Sequence, residues 1–289
     1  MNKKETIKTV QHLVKAVYPH YDRITFIADA DVNYLDLKKL SNPNPKLKPA
    51  EIWVEKTLSG KKYRILLFQP KRANLEYLAK ATQNEPVFVH ANRVEITYDF
   101  ISKYDHVALS DLIARHTVVT QTHEQHYNCY NGTHYWGYRE NNKMYPVLYC
   151  DRKSKIVGKR CAHYEFRLRG KSKCEEHQLV SPASFLNFDF YDFFIKNSKF
   201  YTVPNKAVIG EFIGQAVGQH CKSRRGNEKL FDRIAESDFD LCHDSHLQKM
   251  MNEIPGFKKY FNSSRKIQQN NVKFTQEFQQ ALLKNVQEF

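Results

Sequence analysis

Two kinds of hydrophobic spacing divide the chain. Up to about residue 170, apolar and aromatic residues mostly alternate with polar ones, which is the period of a β-strand with one buried face. The strand patterns of this kind are RITFIADA, EIWVEKTL, KYRILLFQP, PVFVHANRVEITYDFI, TVVTQTHE, THYWGYR, YPVLYCDR and AHYEFRLR. The Ser59-Gly60 pair between the second and third of them predicts a hairpin.

Helical spacing, with apolar residues three or four positions apart, is found at three places before residue 170 and dominates after residue 205. The early helices are predicted over residues 8–17, 72–82 and 105–116. Near the end of the chain, FNSSRKIQQNNVK is typical of a loop.

The sequence therefore predicts an α+β protein. We expect an antiparallel-rich central sheet with flanking helices, followed by a mainly helical C-terminal region. The change of pattern predicts a first unit over residues 1–200 and a helical accessory or DNA-binding unit over 201–289. A basic turn in the second unit, CKSRRGNEK, is compatible either with a helix-turn-helix that reads duplex DNA or with a helical lid.

Charge indicates what the chain binds. It has 289 residues, with 45 Lys and Arg against 31 Asp and Glu, a formal net charge of +14 and a pI near 9.4. Such an excess favours a polyanionic partner, nucleic acid above all. No apolar stretch has the length of a membrane span and the first residues have no signal-peptide core, so a cytoplasmic protein with no membrane partner is expected. Its six cysteines are then expected to be reduced thiols.

A tyrosine followed by cations is the first candidate for chemistry. Tyr149 shares a strand face with Val147, and a basic run with Arg152, Lys153 and Lys155 follows at once. Cations at that position favour a phosphate and stabilise a phenolate, so Tyr149 is a candidate nucleophile. A tyrosine that only packs in the core has the same local pattern.

Acids on strand faces are the second candidate. Glu165 shares a face with His163 and Arg167, and Glu95 and Asp99 share a face of an earlier strand. Carboxylate oxygens, with an imidazole beside them, bind Mg²⁺ or Mn²⁺. Two ionised acids on one strand face repel each other and destabilise the fold unless positive charge lies nearby. The alternative for Glu165 is a cross-strand ion pair.

Two sets of histidines and cysteines leave a zinc site open as a further alternative. Their spacings are H-x2-H-x2-C-x4-H and C-x-H-x10-C-x2-H, neither of which is that of a familiar finger. The first set is His123, His126, Cys129 and His134, and the second is Cys161, His163, Cys174 and His177.

Four short motifs occur in the order RVEITYDF, THYWGYR, VLYCDRKSK and HYEFRLRG. This order resembles the catalytic core of plasmid rolling-circle replication initiators of the Rep_trans kind, which are distantly related to the filamentous-phage nicking protein. That family has an acid-rich strand, a Tyr/Phe-Gly-x-Arg strand, a strand with a tyrosine before a basic residue, and a strand with Glu-x-x-Leu. The resemblance covers roughly residues 92–170.

The resemblance implies a nickase. By position Tyr149 would attack a DNA phosphodiester, become joined to the 5′ phosphate and free a 3′ hydroxyl that primes replication. A Mg²⁺ or Mn²⁺ ion would assist, and its expected ligands are Glu95, Asp99, Glu165 and His163. The residues expected to contact DNA, from the basic run, the GYR motif and the aromatic strand, are Arg139, Arg152, Lys153, Lys155, Arg167 and Trp136.

The expected partner is origin DNA, single-stranded or supercoiled, and a host helicase and a second copy of the chain are further candidates. Two other functions stay open. One is a mobilisation relaxase with the same chemistry, and the other is a non-catalytic DNA-binding initiator or regulator. Tyr145 and Tyr138 are the alternative nucleophiles.

Overall fold

The computed structural model describes residues 3–57, 60–83, 87–118, 127–136, 144–200 and 264–287, and within them the chain has the expected α+β architecture. Ten strands are found in these ranges. In chain order they are β1 (Val14–Ala28), β2 (Glu51–Thr57), β3 (Gly60–Phe68), β4 (Val89–Ser102), β5 (Thr117–Val118), β6 (Tyr127–Tyr130), β7 (Thr133–Trp136), β8 (Met144–Lys153), β9 (Arg160–Arg169) and β10 (Lys199–Phe200).

Eight of these strands form one antiparallel sheet. Their order across the sheet is β2-β3-β1-β4-β9-β8-β7-β6, and β5 pairs separately with β10. The predicted hairpin between β2 and β3 is confirmed, because Thr57 lies opposite Gly60. The pattern TVVTQTHE yields only β5, and residues 119–126 lie outside the described part of the chain.

Helices pack against one face of the sheet. They are α1 (Lys3–Leu13), α2 (Leu37–Leu40), α3 (Arg72–Gln83), α4 (His106–His116), α5 (Lys171–Glu176), a 3₁₀ helix (Pro182–Asn187), α6 (Phe190–Asn197) and α7 (Ser264–Leu283). Their apolar side chains join those of the strands in one continuous core. Burial of this apolar surface is the main force that holds the helices on the sheet. Within the ranges given above, no helix combines the length and apolar character needed to cross a bilayer.

Strand alternation separates a core face from a polar face, as the sequence predicts. In β4, Ile96 and Tyr98 enter the core, and the Tyr98 ring lies 4.7 Å from that of Phe194 in α6. The intervening Thr97 and Asp99 are not part of that core and lie on the other face. β9 is opposite β4 in register, so its polar residues meet those of β4 on this second face.

Several register shifts interrupt the alternation, and two of them, a β-bulge in β1 and one in β8, border the polar face. Between the pairs Tyr21–Ile96 and Arg23–Glu95, β1 advances two residues while β4 advances one. Between the pairs Tyr149–His163 and Arg152–Cys161, β8 advances three residues while β9 advances two. An extra residue re-aims the side chains around it, and both bulges border the polar face.

The first helix begins five residues and ends four residues earlier than predicted. It was expected over residues 8–17, but α1 ends at Leu13 and β1 begins at Val14, which pairs with Ser102 of β4. Strand pairing of β-branched residues outweighs a local helical spacing there. The other two early helices form as predicted, and Asp105 caps α4 by accepting hydrogen bonds from Val107 and Ala108.

The C-terminal helix corrects a second local expectation. Residues 264–273, predicted as part of a loop, belong to α7, since this stretch has no Pro or Gly and continues a strongly helical segment. Phe274 and Phe278 of α7 enter the same core as the sheet. The helices predicted between residues 205 and 263, and the helix-turn-helix alternative, lie outside the described residues, and the division at residue 200 stays a prediction.

Candidate functional site

Three strands of the polar face, β1, β4 and β9, bring buried acids and a histidine together. Asp99 of β4 lies opposite His163 of β9 in register, and the Asp99 Oδ1 atom is 2.5 Å from His163 Nδ1. The other ring nitrogen, Nε2, lies 3.4 Å from Glu165 Oε2. Three of the acidic and imidazole residues predicted from the sequence therefore form one cluster.

Asp22 completes this cluster and was not predicted. It is the extra residue of the β1 bulge, and one ligand atom each from Asp22, His163 and Glu165 lie within 4.8 Å of one another. Gln69 holds its carboxylate by donating from Nε2 to Oδ1 at 2.5 Å. The predicted strand began at Arg23, so Asp22 was not assigned to a strand face. The only sequence signal for it was an acid placed directly before the predicted strand, between Tyr21 and Arg23.

The guanidinium of Arg152 lies in the middle of the three candidate ligands. Its NH1 donates to His163 Nε2 at 2.9 Å and is 3.6 Å from Glu165 Oε2, and its NH2 donates to Asp22 Oδ2 at 3.2 Å. The β8 bulge brings it there. With regular alternation Arg152 would share a face with Leu148 and Cys150 rather than with Tyr149.

Electrostatics keep the acids ionised. Burial raises the pKa of Asp22, but His163, Arg152 and Lys155 outweigh it and hold that pKa well below its usual range. Burial likewise raises the pKa of Glu165, and His163 and Arg167 lower it to about 2. Both carboxylates thus carry negative charge at neutral pH, as metal ligands must.

His163 has a defined hydrogen-bonding arrangement. Burial lowers its pKa, but the hydrogen bonds to Asp99 and Glu165 outweigh burial and the net shift is upward. Arginine only donates, so an unprotonated Nε2 accepts the bond from Arg152, and the single ring proton is then on Nδ1, where Asp99 accepts it. The contact of Nε2 with Glu165 is a hydrogen bond only when Nε2 carries a proton. A proton, Arg152 and a metal ion would all compete for the same Nε2 lone pair.

Tyr149 lies beside the cluster, at the same end of the polar face. Its ring is T-shaped against His163 at 5.4 Å, and Arg152 lies over it at 4.8 Å. Arg167 NH2 donates to the phenol oxygen at 2.5 Å while its Nε donates to Glu165. Burial and then Glu165 raise the pKa of Tyr149, and Arg167 and Arg152 oppose them. Arg167, predicted to contact DNA, is buried and instead connects the phenol to the acids.

Glu95, predicted as a metal ligand, has different partners. Its carboxylate pairs with Arg23 and with Arg93, the latter at 2.6 Å. It lines the same cleft as Glu165, but the described groups of ligand atoms within 4.8 Å do not include it. Strand pairing of β1 with β4 places Arg23 directly opposite Glu95, a neighbour that local pattern does not indicate.

His20 is a second buried imidazole that the sequence reasoning missed. Its ring is 6.3 Å from that of His163, and its Nδ1 lies 3.1 Å from the carbonyl oxygen of Tyr18. Burial lowers its pKa, although Asp99 opposes the shift. It is therefore a neutral neighbour of the cluster.

The cluster opens into a cleft with a volume of about 660 Å³. Asp22, Glu165, Arg152, Arg167 and Tyr149 line it, together with two loops. Four exposed lysines also line it: Lys46, Lys48 and Lys155 come from the loops, and Lys153 is the last residue of β8. Lys155 also reaches Asp22, with Nζ 3.4 Å from Oδ1. A polyanion that entered this cleft would meet cations at its rim and a phenol near its floor.

One predicted DNA contact does not agree with the structure. Trp136 was expected to stack on bases, but its side chain is 0% exposed and packs in the core near Tyr164. Trp136 alternates with Tyr135 in β7, and strand pairing turns the tryptophan toward the helices. Of the alternative nucleophiles, Tyr145 is 1% exposed, whereas Tyr138 lies outside the described residues. The predicted contact Arg139 lies outside them as well.

Within the described ranges, neither zinc set is brought together in full. Cys161 and His163 group with Asp99 rather than with Cys174 or His177. In the first set, His123 and His126 lie outside the described residues. His134 instead groups with Asp111 and Cys150.

The Asp22, His163 and Glu165 atoms fit a divalent ion. Two carboxylate oxygens and one imidazole nitrogen form a donor set suited to Mn²⁺ or Mg²⁺. The contact between His163 Nδ1 and Asp99 is the outer hydrogen bond that orients a ligating histidine. A positive group, the Arg152 guanidinium, already contacts all three side chains.

No protein-family model matches the sequence, and no curated protein matches it. Among solved structures, the chain is similar to a rolling circle replication initiator protein from Geobacillus stearothermophilus. The TM-score is 0.38 with 8% sequence identity, over 76% of this chain and 97% of that chain. A TM-score this low establishes no shared fold, and so low an identity transfers no function.

Proposed function

We propose that this protein is a tyrosine-dependent DNA nickase that initiates rolling-circle replication. The observation that carries the proposal is the position of Tyr149. Its phenol oxygen accepts a hydrogen bond from Arg167, beside a cluster of buried acids and an imidazole, in a cleft with lysines on its rim. The net charge of +14 and the motif order of residues 92–170 support DNA as the substrate.

The proposed step is a transesterification. The Tyr149 oxygen attacks a phosphorus of the DNA strand and the bond to the 3′ oxygen breaks, so the 5′ phosphate becomes joined to the tyrosine. The phenol loses its proton and the departing 3′ oxygen gains one, which leaves a free 3′ hydroxyl. The phosphotyrosine ester conserves the bond for rejoining, and no other nucleophile is needed.

The side chains of the chain divide the remaining tasks. Arg167 holds the phenol oxygen and stabilises negative charge on it, and the rim lysines contact the flanking phosphates. Asp22, Glu165 and His163 would hold Mg²⁺ or Mn²⁺, which when bound offsets charge on the reacting phosphate. Asp99 keeps the His163 lone pair directed at that position.

Covalent trapping of DNA tests the proposal. The protein is incubated with Mn²⁺ and randomised single-stranded oligonucleotides labelled at their 3′ end, then analysed on a denaturing gel. We expect labelled protein from the wild type and from Tyr145→Phe, the matched control, and none from Tyr149→Phe. Sequencing of the attached DNA would reveal the preferred site.

Two results would contradict the proposal in different ways. Labelled Tyr149→Phe protein would mean that another residue is the nucleophile. If the wild type forms no adduct with these oligonucleotides or with supercoiled DNA, yet binds both, the protein is a non-catalytic DNA-binding protein.

A further inference from the structure

We propose that Arg152 is an internal substitute for the divalent ion, and that its guanidinium must leave the Asp22–His163–Glu165 cluster before the ion binds. This inference rests on the metal site of the proposed function. It assigns Arg152 a role other than the simple DNA contact expected from the sequence.

The guanidinium of Arg152 already engages the lone pairs that a metal ion would use. The His163 Nε2 lone pair, which a metal ion would use, accepts a hydrogen bond from Arg152 NH1 at 2.9 Å. Nδ1 is engaged with Asp99, so the ring has no second free nitrogen to offer. Asp22 Oδ2 accepts from Arg152 NH2 at 3.2 Å, and Glu165 Oε2 lies 3.6 Å from NH1. The ion and the guanidinium would therefore occupy the same volume.

Charge supports the same conclusion. The side chains of Asp22 and Glu165 are 9% and 1% exposed, so their charges have little help from water. Lys155 also contacts Asp22 and Arg167 contacts Glu165, but of these three cations Arg152 alone contacts both acids and the imidazole. A guanidinium or a divalent ion can each fill that position. Both together would bring two cations into contact in a buried site. Occupation by one excludes the other.

The surroundings indicate where Arg152 goes. Its side chain is 26% exposed and lines the cleft next to Lys153 and Lys155. The open direction from the cluster is therefore toward the rim where a DNA phosphate would bind. Departure would also remove the guanidinium from the face of the Tyr149 ring, where it lies at 4.8 Å. Entry of the ion would thus uncover one face of the Tyr149 ring and add a phosphate-binding cation.

A binding measurement tests the exchange without any reaction. Mn²⁺ affinity is measured by electron paramagnetic resonance for the wild type, Arg152→Gln and Arg160→Gln. Arg160 belongs to the same strand pair but contacts the exposed Asp151, which makes it the matched control. If Arg152 occupies the site for most of the time, its removal should tighten Mn²⁺ binding about 10- to 100-fold. Arg160→Gln should bind as the wild type does.

A labelling experiment on the wild type covers the case in which Arg152→Gln does not fold. Phenylglyoxal modifies accessible arginines, and peptide mass spectrometry reports each one. Saturation with Mn²⁺ should raise the modification of Arg152 severalfold and leave Arg160 unchanged. Equal Mn²⁺ affinity in Arg152→Gln and wild type would overturn the inference, as would unchanged labelling at saturation.

The two proposals fail separately. If the wild type nicks DNA but Arg152→Gln gains no Mn²⁺ affinity, only the exchange is refuted. If Arg152→Gln gains affinity but no adduct with DNA ever forms, the exchange stands and the nickase is refuted.

Discussion

At the scale of single residues, the polar face is a set of buried charges that satisfy one another. Asp22, Glu165 and Glu95 each have arginine partners, and Asp99 has His163. Buried ion pairs add little net stability, but each partner becomes indispensable once the other is buried. Such an arrangement is expected where charge is kept for chemistry rather than for stability.

Asp99 predicts a specific pH dependence of stability. Burial raises its pKa, but the contact with His163 lowers it from 3.8 to about 2. Since the folded-state pKa is depressed, its contribution is fully present above about pH 4 and is lost as the pH falls toward 2. The size is about 2 kcal/mol. Urea unfolding measures the loss of unfolding free energy between pH 5 and 2, and this loss should be smaller in Asp99→Asn than in the wild type by that amount.

The control for this measurement is Asp192→Asn. Asp192 forms a surface pair with Lys196, and its side chain is 50% exposed. The Asp192→Asn variant should lose as much unfolding free energy between pH 5 and 2 as the wild type does. If Asp99→Asn also loses as much unfolding free energy as the wild type, Asp99 has no depressed pKa in the folded protein.

At the scale of elements, turns and bulges decide where the strand residues lie. β6 and β7 form a hairpin that the sequence analysis did not predict, with Tyr130 opposite Thr133 and only Asn131 and Gly132 between them. Both turn residues have positive φ, 48° and 70°, as a type I′ turn requires. The Asn-Gly pair was the available signal.

Gly132→Ala should therefore destabilise the protein by about 1 kcal/mol, because a side chain disfavours this backbone conformation. Crowding does not contribute, since an added Cβ would lie 3.8 Å from Cys150 Cβ, an ordinary contact. Asn131→Gly should change stability little, because glycine accepts the same φ. Equilibrium urea unfolding measures the stability of both variants. A Gly132→Ala variant as stable as the wild type would show that the turn does not require glycine at this position.

At the scale of the whole molecule, the C-terminal helix belongs to the core of the sheet domain. The Phe278 ring is 4.6 Å from that of Phe200 and is fully buried. Phe278→Ala should lower the free energy of unfolding by about 3 to 5 kcal/mol. The exposed neighbour Gln280→Ala should change it little. If Phe278→Ala leaves the main unfolding transition unchanged, α7 does not stabilise the sheet domain.

The sequence by itself determined the α+β class, most strands and helices, and the alternation that puts Tyr149, His163 and Glu165 on one polar face. These follow from local periodicity, which a strand or helix imposes on neighbouring residues. It also indicated a polyanionic partner, because the net charge is counted directly from the amino-acid sequence.

Only the tertiary structure decided which residues complete the site. Asp22 and Arg152 enter it through bulges, which add one residue without a local signal and reverse the face that simple alternation assigns. Glu95 is paired with Arg23, and Trp136 is buried, because strand order selects neighbours far apart in the chain. Contacts between distant segments are set by packing of the whole sheet, and periodicity within one segment does not encode them.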